Sequence, residues 1–168
     1  MFKKSLKMQP NRSEAHKGIG YINFQLGKLH EAKHMFKQCL ALNPTPNPVF
    51  EIITGNNAIA PFKLQTTPRT KLGRIHLING DSQKAIMQFT EEIKLQPYQP
   101  DAYDGLGWAY LAQQRELEAR SAFKMAIRLE PLNNSAHKGL RKAKEVILEK
   151  RLSEKTKLSA KFPQTNPN

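Results

Sequence analysis

The chain has 168 residues, of which 39% are hydrophobic and 24% charged, and its formal net charge is +13. This length allows one compact domain or a short array of repeats. A single cysteine, Cys39, excludes an internal disulfide framework and any Cys-x-x-Cys metal site.

A spaced set of small, large and proline residues recurs three times. The first copy reads Ile19, Gly20, Ala32, Phe36, Cys39 and Pro44. The second reads Leu72, Gly73, His76, Ala85, Phe89 and Pro97, and the third Leu106, Gly107, Tyr110, Ala119, Phe123, Ala126 and Pro131. The interval from Gly73 to Gly107 is the same as that from Ala85 to Ala119 and from Pro97 to Pro131. The pattern resembles the tetratricopeptide repeat, W-x2-L-G-x2-Y…A-x3-F…P, a helix–turn–helix unit of about 34 residues.

The resemblance implies an all-α fold, a right-handed α-α superhelix of antiparallel helix pairs with a C-terminal capping helix. In each pair, small residues such as Gly107 and Ala119 are expected to let the two helices approach closely, and Phe123 and its equivalents to fill the space between repeats. Proline ends each second helix. A single repeat cannot bury its apolar face alone, so stability is expected to come from stacking.

The repeat register predicts the domain organisation in chain order. Phe2, Leu6 and Pro10 lie one repeat length before Phe36, Leu40 and Pro44, so the chain is expected to be a fragment of a longer repeat protein. The predicted units are the second helix of a preceding repeat at 1–12, a repeat at 13–46, an insertion at 47–65, repeats at 66–99 and 100–133, a capping helix at 134–152 and a disordered tail at 153–168.

Two of these units have particular sequence features. The insertion begins with a proline-rich stretch, and either a short hairpin or a distorted extra helix fits the apolar segments that follow; it is either a tolerated loop or a loop that gates the groove. In the capping helix, Arg141 stands where the repeats have glycine and Lys144 where they have Tyr110 or His76. These long charged side chains predict a solvated outer face.

One motif could indicate a metalloenzyme. His30-Glu31-Ala32-Lys33-His34 matches H-E-x-x-H, which on a helix can bind zinc. Ala32 is, however, the small packing position of the repeat, so both histidines should point outward. We therefore predict no metal site, no cofactor and no enzymatic activity. Cys39 replaces a small packing residue and should be a buried, inert thiol.

The resemblance implies that the first helices of the pairs line a concave groove in which partner peptides lie. Trp108, the only tryptophan, is the predicted anchor for a partner; the alternative is that it packs against the next helix or under the insertion. Aromatic residues and arginine dominate binding energy at interfaces. The predicted partner-binding residues are Lys17, Tyr21, Phe24, Lys71, Arg74, Leu77, Trp108, Leu111, Lys138 and Lys142.

The predicted function is a non-catalytic scaffold that binds another protein or peptide in this groove. The lysines favour an acidic or carboxylate-ended segment, whereas Asp101 and Asp104 oppose a uniformly acidic one. One subfamily, the chaperone co-factor type, binds the C-terminal carboxylate of its partner. Its binding residues are a Lys and an Asn on one first helix, an Asn on the next first helix, and a Lys and an Arg on the third. Lys17 matches one of its positions, but Tyr21, Asp101 and Gly105 depart from it.

Charge distribution bears on the alternatives. Residues 1–65 carry 9 basic and 3 acidic groups (+6), 66–133 carry 9 and 8 (+1), and 134–168 carry 9 and 3 (+6). A nearly neutral middle disfavours nucleic acid as the main partner. The alternative functions are binding of nucleic acid or an acidic polymer through the basic ends, or service as a helper segment of a larger enzyme or secretion component.

Three expectations concern the setting of the protein. No apolar run of the chain approaches the length that a membrane-spanning helix needs, so none is predicted. The basic start has no apolar segment after it, so no signal peptide is predicted and a cytoplasmic location is the default expectation. Self-association through apolar surface at the N-terminal end is a further hypothesis.

Overall fold

The computed structural model describes residues 13–43 and 67–161. Seven helices and no strand occur in these ranges. The helices are α1 Ser13–Gln25, α2 Leu29–Leu42, α3 Pro68–Ile78, α4 Ser82–Leu95, α5 Pro100–Ala112, α6 Glu116–Leu129 and α7 Asn134–Lys161. None of these helices is long and apolar enough to cross a membrane. The prediction of an all-α fold is confirmed.

The helices form three antiparallel pairs, α1–α2, α3–α4 and α5–α6, followed by α7. Each helix packs against the next one in the chain, and the first helices also contact one another, α3 with α5 and α5 with α7. The stack is therefore continuous from α3 to α7, with α1 and α2 joined to it through the contact of α2 with α3. The predicted half repeat at 1–12 and the insertion at 47–65 lie outside the described residues.

Three phenylalanines at equivalent positions form the core of the stack. Phe36, Phe89 and Phe123 are each 0% exposed. The Phe89 ring lies between two glycines: a Cβ built on Gly73 would stand 2.7 Å from it, and a Cβ built on Gly105, in the next pair, 2.3 Å. The glycines therefore make room for an aromatic ring, and the predicted partners of these glycines, the alanines, are not their nearest neighbours.

The turns within the helix pairs require a left-handed backbone. Gly27 has φ +72° and Gly80 has φ +79°, and the equivalent third residue, Gln114, has φ 58°. A Cβ on either glycine would meet nothing within 4 Å, so the conformation alone favours glycine there. Gln114 adopts it at a cost of roughly 1–2 kcal/mol.

Substituting Gln114 with glycine is expected to raise the free energy of unfolding by about 0.5–1 kcal/mol, because it relieves this strain but loosens the unfolded chain. Thermal unfolding followed by circular dichroism measures the effect. Gly80→Ala is the reciprocal variant and should destabilise. Equal melting temperatures for Gln114→Gly and the parent protein would contradict the explanation.

The start of α3 agrees with the sequence signals for a helix end, whereas the end of α7 does not. Thr67 caps α3, its Oγ1 accepting from the backbone N–H of Thr70 at 3.1 Å, and Pro68 is the first helical residue. In contrast, α7 continues to Lys161, so the first part of the tail predicted to be disordered from residue 153 is helical. The segment 153–161 contains no glycine or proline, and Glu, Lys, Leu and Ala are good helix formers.

Candidate partner-binding groove

The predicted groove residues lie on the first helices α1, α3, α5 and α7, and we call the surface they share the first-helix surface. Lys71, on α3, connects this surface to α1. Its Nζ lies 5.7 Å from the ring centroid of Tyr21 and 5.0 Å from that of Phe24. Cations over aromatic faces are attracted by the ring quadrupole. The structure thus brings together three residues that the sequence separates by the insertion.

Lys71 is half-buried. Among residues 13–43 and 67–161 its ammonium has no hydrogen-bond acceptor and no carboxylate within ion-pair distance, and it lies over the two rings. Burial, and next the charge of Arg74, lower the pKa of Lys71, while Asp101 opposes the shift. An ammonium has three donors, and those of Lys71 have no acceptor among the described residues, so they could bond an acceptor that approaches the first-helix surface.

The Tyr21 ring packs against the core of the stack. Its ring meets Phe36 edge-on, with centroids 5.4 Å apart. Burial raises the pKa of the Tyr21 hydroxyl, so it stays protonated and uncharged at neutral pH. The aromatic part of the surface is therefore held rigidly.

Arg74 is engaged within the protein. Its Nη2 lies 3.4 Å from Asp101 Oδ1 and 3.4 Å from Asp104 Oδ2. Ser135 Oγ donates to Asp104 at 2.9 Å, and Trp108 Nε1 donates to Ser135 Oγ at 3.0 Å. These bonds join α3, α5 and α7 across the surface, so Arg74 stabilises the stack as well as lining the predicted groove.

Asp104 is the buried centre of this network, with a side chain 1% exposed. Burial raises the pKa of its carboxyl group, and the hydrogen bond from Ser135 and the charge of Arg74 partly offset this rise. Sequence reasoning placed Asp104 on the groove but missed its burial. The sequence signal was weak, since Arg74 and Asp104 lie in different helix pairs.

Trp108 has two roles in the structure. Its ring is half-buried and meets Phe123 edge-on, with centroids 5.4 Å apart, and its indole N–H is bonded to Ser135 on α7. This is the packing against the next helix that the sequence left as an alternative. Contact with a partner stays a prediction, and substitution of Trp108 would disturb the fold as well.

The remaining predicted residues differ in exposure. Lys17 pairs with Glu14 at 3.4 Å, and Lys138 and Lys142 are exposed on α7. Leu77 and Leu111, near the C-terminal ends of their helices, are half-buried. Beside Leu77, Ile78 is 60% exposed. The surface thus combines an apolar edge with aromatic rings and separate cations.

The residues that suggested a metal site do not form one. His30 and His34 are both exposed, as predicted. In the described parts of the chain, no group of three or more His, Cys, Asp or Glu residues could hold a metal ion. Cys39 is 4% exposed, and burial raises the pKa of its thiol, which agrees with an inert packing role.

A cavity that sequence reasoning missed lies between α5 and α6. It has a volume of about 490 Å³ and its lining is mostly apolar, with Tyr103, Tyr110 and Met125 among the lining residues. The Arg115 guanidinium lies 4.5 Å from the centroid of the Tyr110 ring. None of the predicted partner-binding residues lines it.

The helix pairs, their glycine–phenylalanine packing and their shared surface define an all-helical repeat protein. Two models of the tetratricopeptide repeat match the sequence, one at residues 14–46 and one at residues 70–137, and together they cover more than half of the chain. The chain belongs to the tetratricopeptide repeat family. None of the curated proteins compared with it matches.

Solved structures of the same fold match along most of their length. The first TPR domain of human RPAP3, solved by NMR, is 23% identical with a TM-score of 0.68, covering 86% of this chain and 98% of that one. The first TPR of Spaghetti (RPAP3), bound to the HSP90 peptide SRMEEVD, is 22% identical with a TM-score of 0.66, covering 81% and 93%. The MamA protein is 22% identical with a TM-score of 0.67, covering 99% and 85%.

Proposed function

We propose that this protein is a non-catalytic scaffold whose first-helix surface binds a segment of another protein. The observation that carries the proposal is the ammonium of the half-buried Lys71, which lies over Tyr21 and Phe24 and has no carboxylate partner among the described residues. A partially desolvated cation whose donors have no acceptor among the described residues favours an incoming acceptor, and the bond would be charge-assisted.

The surroundings of Lys71 support a protein segment as the ligand. Rigid aromatic side chains provide contact area at low entropic cost, and interface hot spots are enriched in them. Tyr21 is already fixed against Phe36, and the exposed Ile78 with the half-buried Leu77 offers an apolar edge. A segment with one acidic group near Lys71 and an apolar side chain at this edge fits the surface.

The partner's acidic groups should be few. Arg74 is paired with Asp101 and Asp104, so this cation does not attract further carboxylates as strongly as Lys71 does. The peptide in the Spaghetti structure, SRMEEVD, is acidic at its end. Here Tyr21, Asp101 and Gly105 stand where the carboxylate clamp needs other residues, so we propose a different recognition of the partner, centred on Lys71.

Lys71→Gln is expected to weaken binding of a selected peptide at least about tenfold, because it removes the charge from a desolvated contact. The peptides would be obtained by display of a random library against the protein, and dissociation constants measured by fluorescence anisotropy. Lys124→Gln, an exposed change on the second-helix side, is the matched control and should bind as the parent does.

Two outcomes would count against the proposal. Selected peptides whose binding is equally affected by Lys71→Gln and Lys124→Gln do not use this surface. Failure to select peptides, together with nucleic-acid binding that falls steeply with salt and is insensitive to Lys71→Gln, would favour the basic ends as the functional surface.

A further inference from the structure

The outer face of α7 differs from the equivalent face of the other first helices. In the three pairs a glycine of the first helix contacts the phenylalanine of the second, as Gly107 does with Phe123. On α7 the equivalent residue is Arg141, whose side chain is 73% exposed. No helix within residues 13–43 and 67–161 covers this face, which points away from the stack.

A stripe of five residues runs along this face at spacings of four and three, which place them on one side of a helix. In chain order the stripe is Arg141, Glu145, Leu148, Leu152 and Lys155. Leu148 is 58% exposed and Leu152 is 55% exposed. Arg141 lies 3.9 Å from Glu145 within the helix.

The opposite side of α7 holds the helix in place. Ala136 and Ala143 are 0% exposed and pack with Phe123. Farther along, Lys150 Nζ lies 2.7 Å from Glu116 Oε1 on α6. The stripe therefore lies on a helix that the rest of the stack contacts on its other side as far as Lys150.

We propose that this stripe pairs with the same stripe of a second copy of the chain, with the two helices antiparallel. The residues along the stripe are complementary to those of a second copy only when the two helices are antiparallel. An antiparallel copy places Leu148 opposite Leu152 and the Glu145 carboxylate opposite the Lys155 ammonium, twice by symmetry. A parallel copy would instead place Glu145 against Glu145 and Lys155 against Lys155.

The proposed contact is weak and depends on salt. A single helix pair buries less than the roughly 1,200 Å² of stable interfaces, so a dissociation constant on the order of 100 µM is expected. The net charge of +13 on each copy and Arg151, which flanks the stripe near the symmetry axis, oppose association. Added salt screens both this repulsion and the two Glu145–Lys155 attractions. Because the repulsion comes from the whole net charge, it dominates, and salt should strengthen the dimer, whereas it would weaken binding of an acidic partner.

Sedimentation equilibrium of the full chain, from low-micromolar to near-millimolar concentration, tests the proposal at low and high salt. Leu152→Ser should weaken the dimer about tenfold or more. Leu132→Ser, which changes a leucine 89% exposed outside the stripe, should not. Glu145→Lys and Lys155→Glu should each weaken association, and the double variant should restore it. If the single variants weakened association only because they unfold, combining them would not restore the dimer.

Any of the following results would overturn the proposal. A monomer at every concentration and salt excludes the dimer. A dimer that Leu6→Ser disrupts and Leu152→Ser does not would lie at the N-terminal segment. A dimer that the double charge reversal fails to restore lacks the antiparallel register. Binding to anionic lipid vesicles that Leu152→Ser abolishes, in a protein monomeric in solution, would assign the stripe to a lipid surface.

Discussion

Gly105→Ala is expected to lower the free energy of unfolding by about 2 kcal/mol, although alanine is the better helix former by about 1 kcal/mol. The added Cβ would stand 2.3 Å from Cζ of Phe89. That ring is 0% exposed and also meets Gly73 on its other side, so it cannot move away. Overpacking of this kind costs about 3 kcal/mol, which exceeds the gain in helix propensity.

A double-mutant cycle separates the clash from other effects. In a Phe89→Leu background the smaller side chain leaves space, so Gly105→Ala should be nearly neutral or slightly stabilising there. Urea unfolding of the four proteins gives the coupling energy between the two positions. A Gly105→Ala protein that is more stable than its parent would mean that the ring is not confined between the two glycines.

The repeat register was sufficient to predict the stack through the family resemblance that it carries, and packing explains why the register is kept. Only a small residue fits opposite a buried ring, so residues equivalent to Gly73 and Phe89 recur in each repeat. A helix-ending residue is needed at a fixed spacing, so a residue equivalent to Pro97 recurs as well. The second glycine contact of Phe89, with Gly105, was not predicted. It joins different repeats, and the motif records only spacing within one.

The end of α7 shows a different limit of the sequence. Composition rich in Ser, Thr and Lys suggested a disordered tail from residue 153, but the helix runs to Lys161. Charged and polar residues are compatible with a solvated helix when no glycine or proline interrupts it. The low hydrophobicity of the segment indicated that it is exposed to solvent. The prediction of disorder was wrong because an exposed segment can still be helical.

The candidate site was predicted as a set of positions and not as a set of interactions. The resemblance to the repeat family placed Lys71, Tyr21 and Arg74 on one surface. It could not reveal that Lys71 contacts aromatic rings while Arg74 is paired with Asp104, because these contacts join different helix pairs. Trp108 likewise was recognised as a notable residue, but its bond to Ser135 depends on how α7 packs.

Arg74→Met is expected to lower the free energy of unfolding by about 2 kcal/mol at neutral pH, because it removes the cation from an ion pair whose carboxylate is buried. It leaves the carboxylate of Asp104 buried and bonded to Ser135, without the cation that pairs with it. Breaking a fully buried pair costs about 3–5 kcal/mol. The expected effect is smaller because the Arg74 side chain is 33% exposed, so solvent screens the pair.

The pH dependence of this loss follows from the direction of the Asp104 shift. Burial raises the pKa of Asp104 in the folded protein above its ordinary value of 3.8, and removal of Arg74 raises it further. An acid with a raised folded pKa favours folding when protonated, and this contribution is lost as pH rises through the folded pKa. The difference between Arg74→Met and the parent should therefore shrink as pH falls toward 3.8.

Urea unfolding of both proteins at neutral and mildly acidic pH measures the difference, and Asp104→Asn provides the control. In the Asp104→Asn background Arg74→Met should cost much less, because no buried charge is left unpaired. A loss of stability that is the same at both pH values, and the same with or without Asp104→Asn, would show that Arg74 acts through packing of its aliphatic stem. The network across α3, α5 and α7 would then not depend on the charge of Asp104.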